Sequence, residues 1–319
     1  MQTITGKYTT ANIFIDEIDE TTREQILTMV NHPAFKGTYM AIMPDCHAGK
    51  GCVIGTTMRM NDYIIPNIVG VDIGCGVETY NLGKMNSIDL QGLDEFIKNN
   101  IPSGHQLNKN TENWEAVGID LQYNVLDIIN KLDLDEEKVA KSLGSLGGGN
   151  HFIELNIDSK ENIWLTIHSG SRNFGLKVAQ YHQDKAKTLM KKMLIPEDLF
   201  KGSEFLPIDM GGSEYLEDMQ IAQQFAKANR KFMANKIIES GFFVNNGVCK
   251  TIRSVHNYIN FNDNIIRKGA IQANAGQEVV IPFNQQDGIA IGIGLGSSKY
   301  NYSAPHGAGR VYSRTKAKE

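Results

Sequence analysis

The sequence predicts an α+β fold: a single domain over residues 1–319 with a mixed β-sheet core and flanking helices. Three observations carry that expectation. Short apolar runs broken by glycine fill residues 37–90 and return between 250 and 310. Two long segments between Gly175 and Gly241 carry helical spacing. Strand-like and helix-like stretches come in blocks rather than in regular alternation, which argues against a βαβ sheet. No stretch rich in Pro, Gly or Ser divides the chain, so one domain is expected.

In chain order, Gly37-Thr-Tyr-Met-Ala-Ile-Met, Cys52-Val-Ile-Gly and Ile68-Val-Gly-Val-Asp-Ile read as buried strands joined by tight turns. Residues 91–99 and 118–131 read as helices, and 151–157 and 163–168 as strands. In the second long helix, Leu216, Met219, Ala222, Ala226, Met233 and Ile237 follow three-to-four spacing, and Gly241 stands where a C-terminal cap belongs. Strands resume at Gln277-Glu-Val-Val-Ile-Pro and from Gly288 to Leu295.

Composition narrows the class. Hydrophobic residues make up 41% and charged residues 21%, as in a folded globular protein. The net charge of −4 gives no overall pull toward nucleic acid. From Arg267 onward, however, 7 Lys+Arg stand against 3 Asp+Glu, a local +4 on which a polyanion can dock. Four cysteines without a CxxC pair make neither a disulfide framework nor a zinc knuckle. No signal peptide and no apolar run long enough to span a bilayer is visible, so a reducing cytoplasm is expected.

The 31 glycines are not in a fixed repeat; they gather beside histidines and one cysteine. In Val69-Gly-Val-Asp-Ile-Gly-Cys-Gly-Val77, Asp72 sits in an apolar run, where a carboxylate is costly unless paired or bound to metal. Cys75 offers a thiolate three residues on; a turn-capping Asp and a buried structural Cys are the plainer alternative. Ser145-Leu-Gly-Gly-Gly-Asn-His-Phe-Ile-Glu154 delivers Asn150 and His151 from a glycine-rich turn that admits close phosphate approach. Ile167-His-Ser-Gly-Ser-Arg172 puts His168 at a strand end and Arg172, a phosphate fork, at a helix start. His256-Asn257, Arg267-Lys-Gly-Ala270 and Pro305-His-Gly-Ala-Gly-Arg310 complete the set, and a neutral His306 imidazole can attack phosphorus to give a phosphoramidate. Imidazole, thiolate and carboxylate together suit Mn²⁺, Zn²⁺ or Fe²⁺ better than Mg²⁺.

Together with Met43-Pro-Asp-Cys-His-Ala-Gly-Lys-Gly51, these motifs stand in an order that resembles the RtcB family of RNA ligases over nearly the whole chain. The resemblance implies GTP-dependent joining of an RNA 3′-phosphate or 2′,3′-cyclic phosphate to a 5′-hydroxyl, in RNA repair or tRNA processing. It implies two Mn²⁺ ions on Asp72, Cys75, His151, His168 and His256, and guanylylation of His306. Asn150, Glu154, Asn257 and Lys268 would contact the guanylate, and Arg172 and Arg310 the phosphates or RNA. A helper protein is compatible with this reading. The chain departs from the family at Ile281-Pro-Phe-Asn-Gln-Gln286, where members carry Ile-Pro-Gly-Ser-Met-Gly, and its residues stop at Glu319, before the place at which the resemblance leads one to expect a guanine-reading lysine. Those departures keep open a metal-dependent phosphohydrolase, a self-guanylylating protein that stops before ligation, and an RNA-end-binding protein without catalysis.

Overall fold

The computed structural model describes residues 1–196, 200–243 and 247–309. It is an α+β fold with mixed sheets, as the block order of the sequence predicts. Two compact units divide the chain. The first contains Met1–Gly70, His182–Ser213 and the segment from Ser254 onward; the second contains Val71–Tyr181 and Glu214–Arg253.

The first unit is built on a six-stranded sheet in the order Gln2–Thr5, Thr10–Ile13, Tyr39–His47, Ile54–Arg59, Ile265–Lys268, Asn257–Asn260. Thr10–Ile13 and Tyr39–His47 run parallel and the remaining neighbours antiparallel, so the sheet is mixed. Met40, Ala41, Ile42 and Met43 are all fully buried, which explains why this strand reads as a continuous apolar run. A separate hairpin pairs Glu278–Asn284 with Gly288–Ile293. The departure at Phe283–Gln286 spans the end of the first strand and the turn, where Asn284 Oδ1 accepts from the amides of Gln286 and Asp287.

The second unit centres on a four-stranded sheet, Lys250–Val255, Gly76–Lys84, Asn162–Ser169, Phe152–Ile157. Tyr80, Leu82, Leu165 and Ile167 from its strands pack with Leu93 from the helix Leu90–Asn100 and with Met233 and Ile237 from the helix Gly212–Ile238. Each large aliphatic side chain so buried contributes about 1.5–3 kcal/mol. The expected core positions Met219, Ala222, Ala226, Met233 and Ile237 are fully buried; Leu216, at the rim, is only partly so.

The helices expected at 91–99 and 118–131 form as Leu90–Asn100 and Ile119–Leu132. Two local expectations are corrected. Ile68–Ile73 is not a strand: Pro66, whose fixed φ suits the first helical position, opens the short helix Pro66–Val69, and the strand begins only at Gly76. The first long helix starts at Arg172, so Gly175 lies inside its first turn. Among the described residues no helix is long and apolar enough to cross a membrane.

Candidate metal centre

Sheet register in the second unit brings together four of the five expected ligands, Asp72, Cys75, His151 and His168. His168 pairs with Val77 on one side and with Phe152 on the other. Cys75 lies two residues before Val77, and His151 one residue before Phe152, so both arrive at the sheet end where His168 stands. Their side chains meet there: Cys75 Sγ is 3.5 Å from His151 Nε2 and 3.3 Å from His168 Nε2. Asp72 Oδ2 is 3.0 Å from His151 Nε2.

The two spacings from Cys75 fit one shared cation. Donors held at about 2.0–2.3 Å from a tetrahedral centre stand roughly 3.3–3.7 Å apart. The nitrogens also face the right way. His151 Nδ1 is 2.9 Å from the Leu146 carbonyl, which can only accept, so Nδ1 carries the proton and Nε2 turns its lone pair to the cluster. Cys75 and His168 are buried. Burial and the Asp72 carboxylate push the Cys75 thiol well above its ordinary range, against the opposing pull of Arg230. A divalent cation is the kind of group that favours the thiolate in such a place. Burial would likewise raise the Asp72 carboxyl, but His151, Cys75 and His168 outweigh it and hold the group low.

Gly170 makes room for that carboxylate. A Cβ at this position would stand 2.0 Å from Asp72 Oδ1, whereas the bare glycine allows the Ser171 amide to donate to the same oxygen at 3.2 Å. The neighbouring Arg172 starts its helix with φ +58, a costly conformation for a side-chain-bearing residue. Its guanidinium donates from Nε to Ser145 Oγ and from Nη2 to the Gly104 carbonyl, both at 3.1 Å. Asn150 is exposed in the glycine-rich turn; Glu154 is half-buried, and burial raises its carboxyl against the opposing pull of the Asn156 side chain.

The first unit gathers a second group. The His256 and His306 rings lie 4.9 Å apart. His306 Nδ1 is 2.8 Å from Asp45 Oδ2, and the same oxygen accepts from the His306 amide at 3.2 Å. A carboxylate this close to Nδ1 favours the proton on that nitrogen and the lone pair on Nε2 of a side chain 20% exposed. Gly269, at φ +62, hydrogen-bonds through its amide to Asn257 Oδ1 at 3.0 Å; a Cβ there would meet Ile54 Cγ2 at 2.2 Å and His306 Cε1 at 3.2 Å. Lys268 is buried, with its ammonium donating to the Asn67 carbonyl at 3.0 Å and also to that of Lys50.

Arg267, counted in the basic stretch expected to dock a polyanion, turns inward. It is fully buried, with Nη2 2.8 Å from Asp263 Oδ2 and Nε donating to Ser303 Oγ at 2.8 Å, so its charge is spent inside the fold. Arg310 lies outside the described residues. Of the expected site residues, Asp72, Cys75, Asn150, His151, Glu154, His168 and Arg172 belong to the second unit, and His256, Asn257, Lys268 and His306 to the first. Asp45 is the functional candidate that sequence reasoning left without a role. Its signal was available: a carboxylate at the end of a buried apolar strand.

Comparison with known proteins bears on these groups. A family model described as tRNA-splicing ligase RtcB matches residues 25–319. The RNA-splicing ligase RtcB of Escherichia coli K12 is 33% identical, the alignment covering 95% of this chain and 81% of that protein. The tRNA-splicing ligase RtcB of Aeropyrum pernix is 27% identical, over 88% of this chain and 74% of its own length.

Proposed function

The chain belongs to the RtcB family, and from that premise we propose that it is an RNA ligase that uses GTP to join RNA 3′-phosphate or 2′,3′-cyclic phosphate ends to 5′-hydroxyl ends. The observation that carries the proposal is the meeting of Cys75, His151 and His168, with Asp72 on His151, at one sheet end. A mixed sulfur, nitrogen and oxygen donor set suits a borderline divalent ion, which the family resemblance makes Mn²⁺, and that ion would supply Lewis acidity to a reacting phosphate. His256 is assigned to the same two-ion ligand set on its motif. RNA repair or tRNA processing in the cytoplasm is the corresponding role.

The residues divide the work. Asp45 holds the proton of His306 at Nδ1, so Nε2 attacks the α-phosphorus of GTP; an N–P bond forms, the bond to the bridging oxygen breaks and pyrophosphate leaves. Water first opens a cyclic phosphate to the 3′-phosphate. An oxygen of that phosphate attacks the guanylylated phosphorus, breaking the N–P bond and returning the imidazole. The 5′-hydroxyl then attacks the activated 3′-phosphate, loses its proton and expels GMP. Asn150, Glu154, Asn257 and Lys268 are assigned to the guanylate, and Arg172 and Arg310 to phosphate or RNA.

The test uses the full chain, Mn²⁺ and GTP labelled at the α-phosphate. An acid-labile adduct that disappears in His306→Ala, followed by sealing of an RNA with 3′-phosphate and 5′-hydroxyl ends, is the expected result. An adduct without sealing would leave only self-guanylylation; no adduct and no sealing would refute the proposal.

A further inference from the structure

We propose that Asn229 and Arg230, adjacent on the helix Gly212–Ile238, are the positioning pair of the metal centre, holding the ligand-bearing loops at fixed separation. The inference rests on the metal-binding reading of the Asp72, Cys75, His151 and His168 cluster. Both residues interrupt an otherwise apolar stripe: Ala222 and Ala226 precede them, Met233 and Ile237 follow, and all six are buried. Two polar residues on a buried helix face need a reason, because each must be fully hydrogen-bonded to be tolerated.

Arg230 is satisfied by the ligand loops themselves. Its Nη1 donates to the Gly74 carbonyl and to the Ser169 carbonyl, both at 2.8 Å. Gly74 immediately precedes Cys75 and Ser169 immediately follows His168, so one nitrogen ties the thiol's loop to the imidazole's strand. Nε donates to Glu78 Oε1 at 3.0 Å, which neutralises the charge in place. The other Glu78 oxygen accepts from Tyr80 at 2.8 Å and from Arg253 at 3.2 Å. A planar fork reaches two carbonyls and a carboxylate at once; a lysine ammonium on a flexible stem does not reproduce that geometry.

Asn229 secures the third loop. Its Oδ1 accepts from the amides of Gly144 at 2.7 Å and Ser145 at 3.0 Å, and its Nδ2 donates to Ser169 Oγ and to the Gly170 carbonyl, each at 3.1 Å. Ser169 Oγ in turn donates to the Leu146 carbonyl at 2.8 Å, the oxygen that sets the His151 tautomer. Gly170 is the residue against which the Asp72 carboxylate lies. One turn of helix thus reaches the segments carrying all four donors. Partners beyond the ligands orient them, and losing such a partner typically weakens metal binding by about 10–100-fold.

Cobalt(II) titration of the metal-free full chain tests this, read by the thiolate-to-cobalt and ligand-field absorption bands, with circular dichroism and melting to report the fold. Arg230→Lys should stay folded, bind cobalt about 10–100-fold more weakly and show altered bands. Asn229→Asp keeps the acceptor for the Gly144 and Ser145 amides but loses the donors to Ser169 Oγ and to the Gly170 and Ser145 carbonyls; it should weaken binding similarly, and it decides the matter if Arg230→Lys does not fold. Glu78→Gln, which leaves an acceptor for Arg230 and touches neither carbonyl, should destabilise the fold yet bind cobalt within about threefold of the unaltered protein. Unaltered cobalt affinity and bands in a folded Arg230→Lys or Asn229→Asp protein would overturn the positioning role alone. So would a Glu78→Gln protein that loses affinity as much as they do, since the network would then act through general stability. Absence of cobalt binding by the unaltered protein would overturn the metal reading and this proposal with it.

Discussion

Replacing Asp45 by Asn isolates what the carboxylate does for His306. The residue is buried, and its Oδ2 faces His306 Nδ1 at 2.8 Å and the His306 amide at 3.2 Å. Asparagine fills the same volume and can still accept from the amide. At Nδ1, however, a neutral oxygen replaces a carboxylate, or the amide nitrogen turns in and donates, placing the imidazole proton on Nε2. The first outcome exchanges a charged contact for a neutral one, a difference of about 1–1.5 kcal/mol. At roughly 1.4 kcal/mol per tenfold in rate, that is a loss of about 5- to 12-fold. The second outcome removes the lone pair from the attacking nitrogen and costs more. Single-turnover incorporation of α-labelled GTP measures the effect, with a thermal melt to establish that the fold persists. A folded Asp45→Asn protein that guanylylates within about threefold of the unaltered chain would refute the role assigned to this pair.

Gly170→Ala should impair metal binding without unfolding the chain, because its Cβ would stand 2.0 Å from Asp72 Oδ1; calorimetric titration with Mn²⁺ should read about 10-fold or greater weakening. Cys75→Ala should leave the fold intact and abolish guanylylation, which labelling with circular dichroism checks; normal adduct formation by the folded variant would contradict its place among the donors. His32 predicts a pH dependence of stability. Its Nδ1 accepts from the Ala34 amide at 3.1 Å, its Nε2 lies 3.0 Å from the Ser203 carbonyl, and burial pushes the imidazole down to about 4 despite that carbonyl. Because the folded value lies below the unfolded one of about 6.5, the contribution is complete above pH 6.5 and is lost as pH falls toward 4, up to about 3 kcal/mol. Urea unfolding at several pH values should show that slope in the unaltered protein and a shallower one in His32→Asn.

Much of the site's chemistry was legible in the order of residues. A carboxylate and a thiol in the apolar run around Asp72 and Cys75, and histidines delivered by glycine turns at 151 and 168, announce groups whose burial needs a partner. Helical periodicity located the long helix and its buried face. The misread segment, Ile68–Ile73, was ambiguous because a short buried apolar run looks alike as strand or helix, and only Pro66 tips the balance. Charge in a glycine-terminated turn reads the same whether it faces a phosphate or an internal aspartate, and only the fold shows that Arg267 faces Asp263.

The sequence by itself determined which atoms are available: a sulfur, imidazole nitrogens and carboxylate oxygens on chain segments whose glycines permit close approach. Tertiary structure decided which of them meet. Cys75 lies 76 residues from His151 and 93 from His168 along the chain, and it is strand register that sets them side by side. It also decided the parts of Asp45, Asn229 and Arg230, whose types are ordinary on a strand or helix until their partners are known. The reason is physical: composition fixes what a side chain can donate or accept, whereas orientation and desolvation, which make that capacity useful, belong to the packed fold.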